Sequence, residues 1–217
     1  RGPRRLSMDP AVALDGVLRD PRIWRGRAQG APARSPHPSG VDALDAALPQ
    51  GGWPAAALTE ILLAADGLGE WSLLLPTLAA LTQAGSPVVA VAPPYLPYLP
   101  ALQARGLRAA QFHVVEAQPV DALWAMEQCL RAGACAAVLG WPLRADDRAL
   151  RRLQLAAETG STLAFAFRPL DAARNPSPAA LRLALDADRH GPRLRVLKCR
   201  GGTTPPRALP YVPAVWT

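Results

Sequence analysis

The chain has 217 residues, half of them hydrophobic and 19% charged, enough to bury a core in one large or two small domains, which excludes a fully disordered polymer. Its longest apolar runs, such as Leu73-Leu74-Leu75, fall far short of a membrane span, and no apolar signal core follows the basic residues Arg1 to Arg5, so neither a membrane partner nor a secretory signal is expected. The net charge of +7 divides unevenly: residues 1–40 carry +5, residues 41–140 carry −5 and residues 141–217 carry +7. Arginine supplies 23 of the 24 basic residues, a bias that GC-rich coding also produces. The asymmetry is therefore a better guide to acidic partners than the total charge.

Residues 1–39 read as a basic N-terminal arm and linker. Met8 to Leu18 could form a short helix, and Ile23 and Trp24 form an apolar anchor among arginines. Pro and Gly then interrupt any regular structure up to residue 39. The arm is either a solvated leader or a segment whose Trp24 docks on a partner or on its own domain.

From Gly40 the pattern becomes βα alternation. Val41 to Leu48 predicts a short helix, Gly51-Gly52-Trp53-Pro54 a turn, and Leu58 to Leu63 an apolar strand. A helix follows to about Ala84, with Leu74, Leu75, Leu78 and Leu81 as its core stripe. Pro87 to Val91 and Phe112 to Val115 are strands, separated by a short helix within Leu96 to Arg105. Pro119 to Ala132 predicts a helix with Val120, Leu123, Trp124 and Leu130 in its stripe. Cys135 to Leu139 is a strand, Arg144 to Thr159 a helix and Leu163 to Phe167 a fifth strand. Short apolar strands without clean alternation suit a mostly parallel sheet covered on both faces. The expected fold class is α/β, a three-layer domain over residues 40–200.

Leu181 to Leu185 and Leu194 to Lys198 alternate, so they predict an antiparallel hairpin with one apolar and one arginine face, joined through a polar turn at Asp186 to Gly191. Arg193 and Arg195 share the polar parity, whereas Lys198 has the parity of Leu194 and Val196 and needs a bulge to join them. Residues 201–217, rich in Pro and Gly, read as a loose tail. Cys129, Cys135 and Cys199 are odd in number and form no CxxC pair, so buried free thiols and a cytoplasmic setting are expected.

The most informative stretch is strand, glycine turn, helix: Leu58 to Leu63, then Asp66-Gly67-Leu68-Gly69, then Glu70 onward. In phosphate-binding loops this layout offers backbone N–H groups to phosphates, a Lys to the β/γ-phosphates and a hydroxyl to Mg²⁺. Here Glu70 and Trp71 stand at those two places, and Ser72 comes one residue late. Glu70 suits the free N–H groups of a helix start and can substitute locally for a phosphate. The strand ends that would carry metal-positioning acids have Pro94 and Gly140 instead. No His or Cys spacing suggests a metal site, and no nucleophile set is present. No cofactor is expected.

With Gly40-Val41-Asp42-Ala43-Leu44-Asp45, Gly51-Gly52-Trp53-Pro54, Asp121 to Gln128, Leu150 to Ala157 and Phe167-Arg168-Pro169 in order, the chain resembles the ImuA family, RecA-like and SulA-related proteins of bacterial SOS mutagenesis. The resemblance spans about Trp24 to Thr204. It implies a RecA-like fold with a degenerate phosphate loop at Asp66, Gly67, Gly69, Glu70 and Trp71. Pro94 and Gly140 then mark lost acids, and Arg168 falls near a nucleotide-sensing position. The resemblance also implies a non-catalytic accessory role in translesion synthesis. Its partners would be ImuB, a catalytically dead Y-family polymerase relative, an error-prone C-family polymerase indirectly, and RecA and DNA. The SulA relationship implies a second class, inhibition of the division protein FtsZ. A divergent ATPase is the third reading, and Glu70 with Trp71 argues against it.

Candidate surfaces follow from exposure-prone residue types. Pro93 to Pro100 is stiffened by four prolines and carries Tyr95, Leu96, Tyr98 and Leu99. It either folds back on the empty ligand cleft, with Trp141 and Trp71 nearby, or is offered to a partner. Arg144, Arg148, Arg151 and Arg152 on the helix after the fourth strand form either a solvated face or a DNA or acidic-partner contact. Arg182, Arg193, Arg195, Lys198 and Arg200 on the hairpin make a second candidate phosphate stripe.

Overall fold

In the computed structural model, residues 37–189 and 191–213 are described. Seven strands form one sheet in the order β3-β2-β4-β5-β1-β6-β7. They are β1 (Leu58–Leu63), β2 (Val88–Val91), β3 (Phe112–Val115), β4 (Ala137–Gly140), β5 (Leu163–Pro169), β6 (Leu181–Asp188) and β7 (Gly191–Cys199). All neighbouring pairs are parallel except β6–β7. The helices are α1 (Asp42–Ala47), α2 (Glu70–Gln83), α3 (Leu99–Ala104), α4 (Ala122–Arg131) and α5 (Asp147–Gly160). The domain is thus a three-layer α/β fold with a C-terminal antiparallel hairpin.

β1, β2 and β4 are buried along their whole length, so their side chains alternate between two apolar layers. Ile61, Phe165, Phe167 and Leu183 join one layer with the α2 leucines. Leu58, Val138, Ala164 and Ala166 join the other with Met126, Leu130, Leu150 and Leu153 of α4 and α5. The predicted α2 stripe is core throughout: Leu74, Leu75, Leu78 and Leu81 are buried, as is Leu73.

The turn before β1 is tied into the first layer. Trp53 is fully buried, meets Phe165 edge-on at 5.1 Å and donates its indole N–H to Thr77 Oγ1 at 2.8 Å. Thr77 in turn donates to the Pro38 carbonyl at 2.8 Å, and Ser39 is fully buried. Gly40 has φ +77°, and a Cβ there would lie 2.5 Å from the Pro76 side chain. This position therefore needs glycine for both conformation and space.

The stripe expected on α4 differs from the observed one. Met126 and Leu130 are buried, whereas Val120 precedes the helix and is exposed, and Trp124 is 64% exposed. The helix starts at Ala122, three residues later than the sequence suggests, with Asp121 at the N-cap position but making no side-chain capping bond. At about 100° per residue Trp124 lies roughly 200° around the helix from the buried Met126, so it stands on a shoulder on the Glu127 side, away from the core.

The hairpin strands are longer than their apolar alternation. Asp186 is not in a turn but pairs in register with Arg193 within the ladder. A register shift lies between Arg182 and Leu183, which face Lys198 and Val196. Leu197 is the extra residue, and this bulge brings Lys198 round to the arginine face. The tail is not loose up to Pro213. Leu209 bridges to Leu194, and Tyr211 is buried in the first apolar layer.

Candidate functional site

One N–H of the glycine turn between β1 and α2 is met from within the chain by Glu70, whose other carboxylate oxygen is buried without a hydrogen-bond partner. Gly69 is the N-cap of α2 in a left-handed conformation. The Gly67 N–H donates to Glu70 Oε1 at 3.1 Å. A carboxylate carried by the first helical residue thus occupies an N–H that a phosphate would use in a nucleotide-binding loop. Asp66 and Gly67 are exposed, whereas Glu70 is buried.

The C-terminal segment closes the same turn from outside. Tyr211 donates its hydroxyl to the Gly69 carbonyl at 2.6 Å. A Cβ at Gly69 would lie 2.5 Å from Pro213 Cβ and 3.1 Å from the Tyr211 oxygen. Burial, then the neighbouring Glu70 carboxylate, push the Tyr211 phenol far above its ordinary pKa, so it remains a donor.

Next to the turn stands an aromatic wall. Trp71 lies 6.1 Å from Trp141, and Trp141 stacks on Phe167 at 4.9 Å with 21° between planes. Trp71 also meets Phe112 at 6.3 Å. Trp141 is half-buried in this wall and belongs to the core as much as to any docking surface. Gly140 leaves room for Met126, whose sulfur would clash with any Cβ. Pro94 sits in the loop after β2. Gly140 therefore serves close packing, and Pro94 belongs to a loop.

Arg168 lies at the end of β5 and is buried with Arg182 of β6 and Glu60 of β1. Arg168 Nη1 donates to Glu60 Oε1 at 2.7 Å, and Nη2 to the Ala145 carbonyl at 2.6 Å. Arg182 Nε pairs with Glu60 Oε2 at 2.8 Å, outside hydrogen-bond angles. Its terminal nitrogens donate to the Asn175 and Ala172 carbonyls. Glu60 was not singled out in the sequence, because an acid inside an apolar strand gives no hint of two distant arginines.

The Tyr loop does not fold back. Tyr95 is 71% exposed, Leu96 and Tyr98 are each 74% exposed, and Leu99 is exposed as well. Pro93, Pro94, Pro97 and Pro100 stiffen the backbone that carries them.

The two basic stripes fare differently. Arg182 is buried against Glu60 and is unavailable to a phosphate. Arg193 pairs with Asp186 and Asp188, and Arg195 with Asp186. Lys198 donates to the Ser177 carbonyl at 2.6 Å. Burial first, then the charges of Arg200 and Arg182, lower its pKa. Arg200 donates to the Pro178 carbonyl and approaches Glu158 at 3.8 Å. Arg182, Arg193 and Arg195 are therefore matched by acids, whereas Lys198 and Arg200 bond mainly to carbonyls and keep their charge.

Arg144 is not on a helix. Asp146 caps α5 by accepting from Ala149 N at 2.7 Å, and Arg144 lies in the turn before it. Arg151 pairs with Asp147 on its own helix, whereas Arg152 reaches across to Glu127 of α4. Arg144 and Arg148 have no ion partner among the described residues. Trp24 lies outside the described residues.

The three cysteines are unbridged and half-buried, and burial raises each thiol's pKa. Among the described residues, no cluster of three or more His, Cys, Asp or Glu could hold a metal ion, and no helix is long and apolar enough to cross a membrane. A search of curated proteins returned no match. The family model described as "Cell division inhibitor SulA" matches residues 57–164, so the segment from just before β1 into the start of β5 is SulA-like.

Proposed function

We propose that this protein is a non-catalytic regulator of the bacterial DNA-damage response that works by binding another protein. The observation that carries the reading is Glu70 on the Gly67 N–H, with Tyr211 holding Gly69 from the other side. A phosphate loop filled by its own chain leaves little for a nucleotide to gain there. The docking surface is the Tyr95–Leu99 loop, an exposed aromatic and aliphatic patch on a stiffened backbone. Such a patch loses little entropy on binding, and Tyr is a common anchor of interfaces.

The family match supports a division protein of the FtsZ type as the partner, as the model's description names a cell division inhibitor. The Tyr loop lies inside the matched segment. A second reading, an accessory of translesion synthesis bound to an ImuB-like polymerase homologue, rests on the sequence resemblance, which extends beyond the matched segment. The resemblance motif at Gly40 to Pro54 lies before the matched segment, and Trp53 from it is fully buried. The β6–β7 hairpin, also outside the match, completes the sheet.

The test is stoichiometric co-purification of the full chain with each candidate, wild type against Tyr95→Ser/Tyr98→Ser. A complex with either partner that the double variant abolishes supports the docking surface and selects the partner. Retention of the complex by the variant would contradict the surface. Absence of a complex with both would contradict the readings of the partner.

A further inference from the structure

An open cleft of about 500 Å³ lies between α4 and α5, lined by Leu123, Arg144, Asp146, Arg148, Arg152 and two alanines. We propose that this cleft binds the phosphate backbone of single-stranded nucleic acid, with Trp124 stacking on a base at its shoulder. The proposal concerns a surface distinct from the Tyr loop and does not depend on the protein partner.

Charge placement is the first argument. Arg182, Arg193 and Arg195 of the hairpin are committed to Glu60, Asp186 and Asp188. Arg144 and Arg148 are exposed and have no ion partner among the described residues. Arg152 shares Glu127 with Arg131. The carboxylate of Asp146 is engaged at the α5 N-terminus, accepting from Ala149 N. Two arginines without an ion partner therefore line this cleft, with Asp146 the one acid in its lining.

Geometry is the second argument. Arg148 and Arg152 are one helical turn apart and form a row along α5, with Arg144 ahead of them in the turn. Planar guanidinium groups match phosphate oxygens in a two-pronged fashion. Trp124, 64% exposed, stands on the α4 shoulder three residues before Glu127, the group that Arg152 reaches. A basic groove flanked by an exposed aromatic is how proteins hold single strands without sequence preference, the cations tracking the backbone and the ring stacking a base.

The test is fluorescence anisotropy of a labelled oligothymidylate against the full chain over a salt series. Wild type should bind, with affinity falling steeply as salt rises. Arg144→Gln/Arg148→Gln should weaken binding by about tenfold or more and flatten the log–log salt slope by about 1.4, roughly 0.7 per lost contact. Arg144→Lys/Arg148→Lys should keep the slope. Trp124→Ala should weaken binding with the slope unchanged. Arg193→Gln/Arg195→Gln and Tyr95→Ser/Tyr98→Ser should bind as wild type does. The proposal is overturned if wild type does not bind, if the cleft double variant matches wild type, or if the hairpin variant carries the loss. Competition by polyglutamate as effective as by unlabelled oligothymidylate would also overturn it, assigning the cleft to an acidic protein segment.

Discussion

Tyr211 donates its hydroxyl to the carbonyl of Gly69, 142 positions earlier in the chain, at 2.6 Å. This bond ties the C-terminal segment to the glycine turn ahead of α2, the place where a phosphate loop would open to its ligand. The contact is made by a phenol whose ionisation is opposed by burial and by Glu70.

A pH prediction follows. The folded-state pKa of Tyr211 is raised above its unfolded value near 10. The contribution of this phenol to stability is therefore complete below about pH 10 and is lost as pH rises beyond it. Tyr211→Phe should cost about 1 kcal/mol at neutral pH. The gap between wild type and variant in urea denaturation should narrow above pH 10. A gap that is constant or widening with pH contradicts the contact.

Glu60 holds two buried guanidinium groups, those of Arg168 and Arg182. Glu60→Ala leaves both cations buried without an anion and should cost about 3–5 kcal/mol. Urea denaturation of the variant measures this. A loss under about 1 kcal/mol would mean that water or a counter-ion reaches the cluster.

Leu78 of α2 is fully buried between helix and sheet. Leu78→Asp buries a charge and removes packing, so it should cost about 3 kcal/mol or more. Thermal melting and solubility are the readouts, and an unchanged melting curve would place the leucine stripe at the surface.

The Tyr loop gives the opposite expectation. Tyr95→Ser/Tyr98→Ser removes two exposed rings and should leave stability within about 0.5 kcal/mol of wild type. A larger loss in thermal denaturation would show that the rings support the fold.

The strands were legible because a sheet buried on both faces writes itself as apolar runs: Leu58–Leu63 and Phe112–Val115 have the expected bounds. The Lys198 bulge was legible as a condition, since only an extra residue could place a lysine of that parity beside Arg195. Glu70 as the internal anion was legible from its position at a helix start. The docking of Tyr211 was not, because a Pro-rich tail carries no periodicity to say where it lands. The Glu60 cluster was hidden for a related reason, its three members being brought together by parallel register alone. Trp124 was misplaced because its hydrophobicity outweighed its spacing: at about 100° per residue it cannot share a face with Met126 and Leu130, which are the buried apolar residues of α4.

The Glu70 carboxylate takes the Gly67 N–H at the turn before α2, and on the proposed reading the protein acts by binding and not by turning over a nucleotide. Calorimetric titration of the full chain with Mg-ATP tests this most directly. The expected result is no saturable heat in the micromolar range, for wild type and for Glu70→Lys alike, because Trp71 offers no hydroxyl to a metal and neither Pro94 nor Gly140 carries an acid. Saturable binding by wild type that is lost on changing Glu70 or Trp71 would contradict the account.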